Sequence, residues 1–357
     1  MNGKIYLALL HSIWVSQKKL HYIFKEKQNY REFFENISHD HLSKYKIRAN
    51  IIENILEQRK KVNKGFIEKA LEKRGVTIIT FHDSKYPQGL KEIANPPYLF
   101  YLRWSLKIAP SIAVVWSRKI SSYWENAIEK IVAPLSQYFS IVSGGAAGCD
   151  TKAHRVTLEN TWTTISVIGT GIDVDYPVHN KKLYDDIAIS GWAVISIFRV
   201  WEVWNPYNFP VRNEIVTWLS HGVLVVEAQE KSGSLITAKL ALDSGRDLFA
   251  VPGDIYKQNS VGCNNLIKAW EAKLVSSAID ILEEYNFSSE IVPEKKKISF
   301  SNKIEQEIYN IISIESLNIN EIAIKMGKNI WEILKLISML EIKWILKRTV
   351  GWKYEIS

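Results

Sequence analysis

Apolar and polar positions change rhythm along the chain. Over residues 1–74 the spacing is helical, with Ile51, Ile52, Ile55 and Leu56 keeping the i, i+1, i+4, i+5 pattern of one helix face. No proline and few β-rich runs interrupt this stretch. Over residues 75–285 short apolar runs alternate with longer amphipathic segments. The runs are Thr77-Ile78-Ile79-Thr80, Ile112-Ala113-Val114-Val115, Ser140-Ile141-Val142-Ser143, Ile165-Ser166-Val167-Ile168, Gly222-Val223-Leu224-Val225-Val226-Glu227 and Leu248-Phe249-Ala250-Val251. Continuous β-branched runs are what strands covered on both faces look like. Their alternation with helical segments predicts βαβ units and an α/β domain on a doubly wound, mostly parallel sheet. Residues 286–302 are polar and read as a linker. Residues 303–357 predict two or three short helices and a terminal hairpin, a pattern that suits a winged helix. No run of about 18 apolar residues occurs, so no membrane span is expected.

Charge and cysteine content narrow the function classes. The 357 residues include 46 Lys and Arg against 38 Asp and Glu, a net charge of +8. Residues 18–74 alone hold 15 basic and 8 acidic side chains, so nearly all of the excess lies there. Such a face is either simply solvated or meets a polyanion. Two cysteines, Cys149 and Cys263, cannot form a disulfide framework or a zinc cluster and suggest a reducing cytoplasm. The N-terminal apolar stretch is too short for a signal peptide. Eight histidines lack metal-ligand spacing, no Gly-x-x-x-x-Gly-Lys-[Ser/Thr] is present, and Gly169-x-Gly171 lacks the third small residue of a dinucleotide site. Neither a metal nor a cofactor is expected. His154 reads as a packed histidine or a site residue, and Glu227 has no partner acid to make a catalytic pair.

In open α/β sheets, ligands sit beyond the carboxyl ends of the strands. Several expected strands here end in loops suited to anions. Strand 140–143 runs into Gly144-Gly145-Ala146-Ala147-Gly148-Cys149-Asp150, whose backbone can approach a phosphate before a helix begins. Strand 165–168 runs into Gly169-Thr170-Gly171-Ile172-Asp173. After strand 223–227 come Lys231, Ser232, Gly233, Ser234 and Thr237, where a helix start forms an anion nest with an added charge. Ser117-Arg118, after strand 112–115, places an always-charged fork at the same rim. Together these loops predict phosphate or nucleotide binding.

The ordered motifs resemble the bacterial DNA-processing protein A family (DprA, also called Smf). They run from Tyr86-Pro87 and Asn95-Pro96-Pro97 through Ser117-Arg118, the loop from Ser143 to Asp150, Ala153-His154, Gly169-Thr170-Gly171-Ile172-Asp173 and Tyr176-Pro177. They continue with Asn208-Phe209-Pro210-Val211-Arg212-Asn213, Val226-Glu227-Ala228, residues 232–238, Ala250-Val251-Pro252-Gly253 and residues 262–267. The match spans residues 75–285. The resemblance implies a cytoplasmic, homodimeric, Rossmann-like protein that binds single-stranded DNA and hands it to the RecA recombinase during transformation. It also implies a SAM or helix-hairpin-helix-like N-terminal module in residues 1–74 and a C-terminal winged helix in 303–357. The implied DNA contacts are the loop residues above with Lys181, Asn208, Phe209, Arg212 and Asn213. Two positions depart from the pattern: Val178 follows Tyr-Pro, and Glu214 follows Arg212-Asn213 where a second arginine is usual. Alternative readings are a nucleotide-sensing module and a nucleoside-monophosphate phosphoribohydrolase-like enzyme. For the latter, Pro252-Gly253 is followed by Asp254-Ile255, so its Pro-Gly-Gly-x-Gly-Thr signature is absent.

Tryptophan is in excess, with 13 Trp against only 17 Gly. Where the family pattern has glycine this chain repeatedly has tryptophan: Trp104, Trp116, Trp124, Trp162, Trp192, Trp204, Trp218, Trp270, Trp344 and Trp352, and also Trp14 and Trp201. Trp331 has no clear counterpart. In Ile13-Trp14-Val15 the indole stands where a helix-hairpin-helix turn has glycine; a packing module without DNA contact is the alternative there. The expectation is that these codons are UGA, decoded as glycine by the host. Counting both residue types together restores a glycine share close to the ordinary level of about 7%.

Overall fold

The computed structural model describes residues 3–25, 28–107, 109–116, 122–287, 302–343, 345–349 and 351–356. The chain divides into two units, Met1–Ser288 and Ser289–Ser357. In the first unit helices fill the chain from Ile5 to Lys73. Several start where a short polar side chain caps them: Ser16, Asn29, Ser38 and Asn63 each accept the backbone N–H three residues on.

The nine strands that follow are β1 (Val76–Thr80), β2 (Leu99–Arg103), β3 (Ser111–Trp116), β4 (Ser140–Ser143), β5 (Thr164–Val167), β6 (Ala193–Ser196), β7 (Gly222–Glu227), β8 (Asp247–Ala250) and β9 (Lys273–Leu274). They form one sheet in the order β1-β2-β6-β5-β4-β3-β7-β8-β9. Pairing is parallel from β6 through β9, while β1 and β2 are antiparallel at one edge. The sheet is therefore the mostly parallel one expected, with an antiparallel edge in addition. Residues of β4, β5, β6 and β7 are buried throughout, because helices cover both faces.

Alternation along a strand assigns side chains to the two faces. In β2, Leu99 and Tyr101 join the core shared with the N-terminal helices, while Phe100 and Leu102 join the core on the opposite face. Polar ties fasten the same helices to the sheet. The Gln17 amide donates to the Leu99 and Ile197 carbonyls at 3.1 and 3.0 Å, and Arg74 forks onto Asp175 at 2.7 and 2.9 Å.

The second unit holds helices Lys303–Ile312, Ile319–Met326 and Ile330–Ile342 with strands β10 (Leu317–Asn318), β11 (Leu346–Arg348) and β12 (Lys353–Ile356). The strands pair antiparallel in the order β10-β12-β11, so β11 and β12 make the expected terminal hairpin. Ile308, Ile322, Ile333, Ile337 and Leu340 give this unit its own core. Most of the stretch expected as a linker, 286–302, lies outside the described residues. Among the described residues no helix is long and apolar enough to cross a membrane.

Candidate functional site

The chain lays β4, β5 and β6 on one side of β3, then crosses to place β7, β8 and β9 on the other. Such a reversal opens a crevice at the carboxyl ends of the strands. A cavity of about 400 Å³ sits there, lined by Val115 of β3, Gly144 and Ala146 after β4, and Gln229, Lys231, Ser232, Gly233 and Ser234 after β7. Asp150, Phe209, Arg212, Asn213, Val216 and Thr237 complete the wall.

Glycine is required at two points of the loop after β4. A Cβ on Gly144 would lie 1.8 Å from Nη1 of Arg212, and Gly145 has a φ of +73°. The loop is also pinned from outside the cavity. Tyr184 Oη donates to the Gly145 carbonyl at 2.8 Å, and the Asn180 amide donates to it at 3.1 Å. Gly148 is the cap of helix Cys149–Glu159, and Asp150 turns back to accept the Ala146 N–H at 2.8 Å.

Asp150 and Arg212 are buried rather than presented to solvent. Arg212 donates through Nη1 to the Gly144 carbonyl and, at 2.9 Å, to that of Val167, and through Nε to Asn213 Oδ1 at 2.9 Å. Its guanidinium therefore ties the ends of β4 and β5 together. Burial pushes the Asp150 carboxyl above its ordinary range, against the opposing pull of Arg212 and the Ala146 N–H.

The loop after β7 offers the free donors. Ser232 caps helix Gly233–Asp243 with no bond to a first-turn N–H, its hydroxyl pairing instead with that of Ser234, and Lys231 beside it is exposed. Ser234 Oγ reaches the Glu227 carbonyl at 3.4 Å, and Thr237 Oγ1 bonds the Gly233 carbonyl at 3.5 Å. The first-turn N–H groups and the positive end of the helix thus open on the cavity wall.

Of the residues expected from sequence, Gly144, Asp150, Phe209, Arg212, Asn213, Lys231, Ser232, Gly233, Ser234 and Thr237 meet around this one cavity. Gly145, Gly148, Gly169, Gly171, Lys181 and Asn208 do not line it. Asn208 is buried and donates to the Gly169 carbonyl at 3.1 Å, Gly171 donates its N–H to Glu202, and Lys181 stands exposed at the start of helix Lys181–Ile189. Ser117 and Arg118 lie outside the described residues.

Gln229, Ala146 and the apolar Val115 and Val216 had no sequence signal beyond their place beside marked loops. Phe209 is an expected contact, whereas its ring neighbours are not among the expected site residues. Tyr176 and Trp204 sit 5.8 Å apart, each 6.4 Å from Phe209, at a partly exposed edge. His154 is fully buried, 2.7 Å from Thr164 Oγ1, and burial lowers it to about 3, so it is a packed residue. Burial pushes the Cys263 thiol up to about 12 and raises that of Cys149 as well, which leaves neither as a nucleophile. Among the described residues no cluster of His, Cys, Asp and Glu suits a metal.

Comparison with known proteins gives this geometry a family. A family model described as DNA recombination-mediator protein A matches residues 77–286. The DNA processing protein DprA of Streptococcus pneumoniae is 44% identical over 207 residues, 57% of this chain and 73% of that one. Protein Smf of Escherichia coli is 35% identical over 241 residues, 67% of this chain and 64% of that one. The X-ray structure of DprA from Streptococcus pneumoniae superposes with a TM-score of 0.66 at 34% identity, over 80% of this chain and 98% of that one. A structure of DNA processing protein A from Helicobacter pylori, reported for its single-stranded DNA binding mode, gives 0.54 at 25% identity over 59% and 97%. The sheet, the loops at its carboxyl edge and a match to more than half of the sequence agree: the chain belongs to the DNA recombination-mediator protein A family (DprA/Smf).

Proposed function

We propose that this protein binds single-stranded DNA across the cavity at the carboxyl edge of the sheet and delivers it to the RecA recombinase. The observation that carries the reading is the convergence of two loops on one crevice. The Gly144–Ala146 turn and the start of helix Gly233–Asp243 both line it, with Lys231 at its rim. The N–H groups at a helix N-terminus hold phosphate without regard to base, as a sequence-blind binder needs. The partly exposed rings of Tyr176 and Phe209 offer a surface on which bases can stack. Ser117 and Arg118 follow Val115 of the cavity wall and are proposed as further phosphate contacts, with Lys181 more distant.

The finer organisation is part of the same proposal. The protein acts as a cytoplasmic homodimer without a cofactor, the helices of residues 1–74 form a SAM or helix-hairpin-helix-like module, and the C-terminal unit is a winged helix. Delivery to RecA rests on the family resemblance, whereas phosphate binding rests on the cavity.

Binding of a fluorescent oligo-dT and its duplex at two salt concentrations tests the central claim. The single strand is expected to bind more tightly, and Lys231→Ala to flatten the dependence of log affinity on log salt by about one unit. Equal binding of strand and duplex, with an unchanged slope in the variant, overturns the site. Release of base from AMP would instead favour the hydrolase reading.

A further inference from the structure

Among the described residues eight that are not glycine hold a positive φ, and five of those are tryptophan: Trp14 (+75°), Trp104 (+69°), Trp201 (+64°), Trp270 (+60°) and Trp352 (+67°). Tryptophan supplies only 13 of the 357 residues, so chance placement puts almost none there. In this region Cβ crowds the following carbonyl. Glycine enters it freely, Asn and Asp at some cost, and a bulky residue least of all.

Backbone hydrogen bonds show what two of these positions do. After helix Ile5–Ser12, the Trp14 N–H bonds the His11 carbonyl at 3.2 Å and the Val15 N–H bonds that of Leu10 at 3.1 Å. After helix Val261–Lys268, Trp270 bonds Ile267 at 3.1 Å and Glu271 bonds Leu266 at 3.0 Å. This paired closure demands a left-handed residue just past the helix, and glycine is its usual occupant. The same chain uses glycine for it elsewhere. Gly245 (+63°) bonds Leu242 at 3.1 Å while Arg246 bonds Ala241 at 2.9 Å, and Gly191 (+85°) with Trp192 closes helix Lys181–Ile189 by the same pair at 3.0 Å each.

The rings themselves do not hold the backbone in this state. Trp14, Trp104, Trp201, Trp270 and Trp352 are 52, 59, 47, 95 and 70% exposed, so no core contact compensates the strain. Arg199 over Trp14 and Arg348 over Trp352, each at 3.6 Å, are surface contacts that any nearby ring attracts.

We infer that positions 14, 104, 201, 270 and 352 carry glycine in the native protein, their codons being UGA decoded as glycine by the host and written as tryptophan in this sequence. The inference is independent of what the cavity binds.

Weighing the tryptic peptides of protein isolated from its own host tests it directly, together with the gene's codons. Glycine at all five positions, encoded by UGA, is the expected result. A UGG codon or a tryptophan residue at any of the five overturns it. Protein made with the written sequence gives a second reading. Trp270→Gly, which removes a ring already in solvent, should raise the thermal midpoint by about 2–4 °C. Trp331→Gly, inside helix Ile330–Ile342, should not raise it. A Trp270→Gly midpoint that stays level or falls overturns the backbone argument.

Discussion

A single methyl group at position 144 decides whether the loop after β4 can rest on Arg212. Gly144→Ala would set a Cβ 1.8 Å from the guanidinium, forcing it off the carbonyls of Gly144 and Val167. A buried arginine stripped of its acceptors is costly, so the variant should lose about 2 kcal/mol or more of unfolding free energy, measured in urea. Little change in the midpoint would mean that the loop moves aside freely. Two buried histidines set an acid limit in the same unit. Burial lowers both His11 and His154 to about 3, with Arg199 and Arg212 respectively adding to the effect. Each folded value lies below the unfolded one of about 6.5, so the unfolded chain binds the extra protons. Stability is therefore whole above pH 6.5 and falls as pH drops from 6.5 towards 3, by about 1.4 kcal/mol per unit for each histidine. His154→Gln should lose its share of that slope relative to the parent; an identical slope in both proteins would remove His154 as a source. These residues also mark where sequence reading stops. Arg212 and Asp150 are charged residues beside glycine-rich loops, which is how phosphate ligands look in a sequence. Only the fold shows them turned inward to each other's neighbourhood and to backbone, because residues 62 apart in the chain meet there.

Helix Gly233–Asp243 does at the level of an element what Lys231 does as a residue. Its cap, Ser232, bonds the Ser234 hydroxyl and no first-turn N–H, so backbone donors and the positive helix end are left for a ligand. Ser232→Asp separates stability from binding. A carboxylate there favours the helix by about 0.5 kcal/mol and also occupies the donors that a phosphate would use. Thermal midpoint should hold or rise while single-strand affinity falls about tenfold. Retained affinity in this variant would place the anion site elsewhere. Elements of this kind were largely visible beforehand. The runs ending at Ser143 and Glu227 coincide with β4 and β7, because strands buried on both faces must be apolar at every position. β2, β6 and β9 were not visible, for separate reasons. β6 has four residues and follows directly on a helix end at Gly191-Trp192, β9 has only two, and β2 finishes on a charged arginine. That arginine is buried because Arg103 pairs with Asp185 at 2.6 Å, a contact across 82 residues that no local pattern announces.

The whole molecule is two units on one chain, each with its own core residues, and its stability should reflect both. Met1–Ser288 buries helices on each face of a nine-stranded sheet, whereas Ser289–Ser357 relies on a small set of isoleucines and leucines around three helices and three short strands. A small unit buries a smaller fraction of its surface and is correspondingly marginal, so the C-terminal unit should melt first. Calorimetry is expected to show two transitions, the smaller one at lower temperature, and two-state analysis of the full chain would then be improper. A chain ending at Ser288 should lack the lower transition and keep the upper one. Its single-strand affinity should also survive, since every residue lining the cavity falls between Val115 and Thr237. The N-terminal helices are a different matter. They share a core with β1, β2 and β6, and Gln17 and Arg74 tie them to the sheet, so removing residues 1–74 would expose Tyr101 and its neighbours. Loss of affinity after that deletion would therefore report unfolding as readily as a lost DNA contact. Their excess of positive charge is better tested by reversing exposed lysines. Lys18→Glu with Lys44→Glu leaves the core untouched, and a lower affinity and salt slope in that variant would bring this face into the interface; an unchanged slope would leave it a solvated surface.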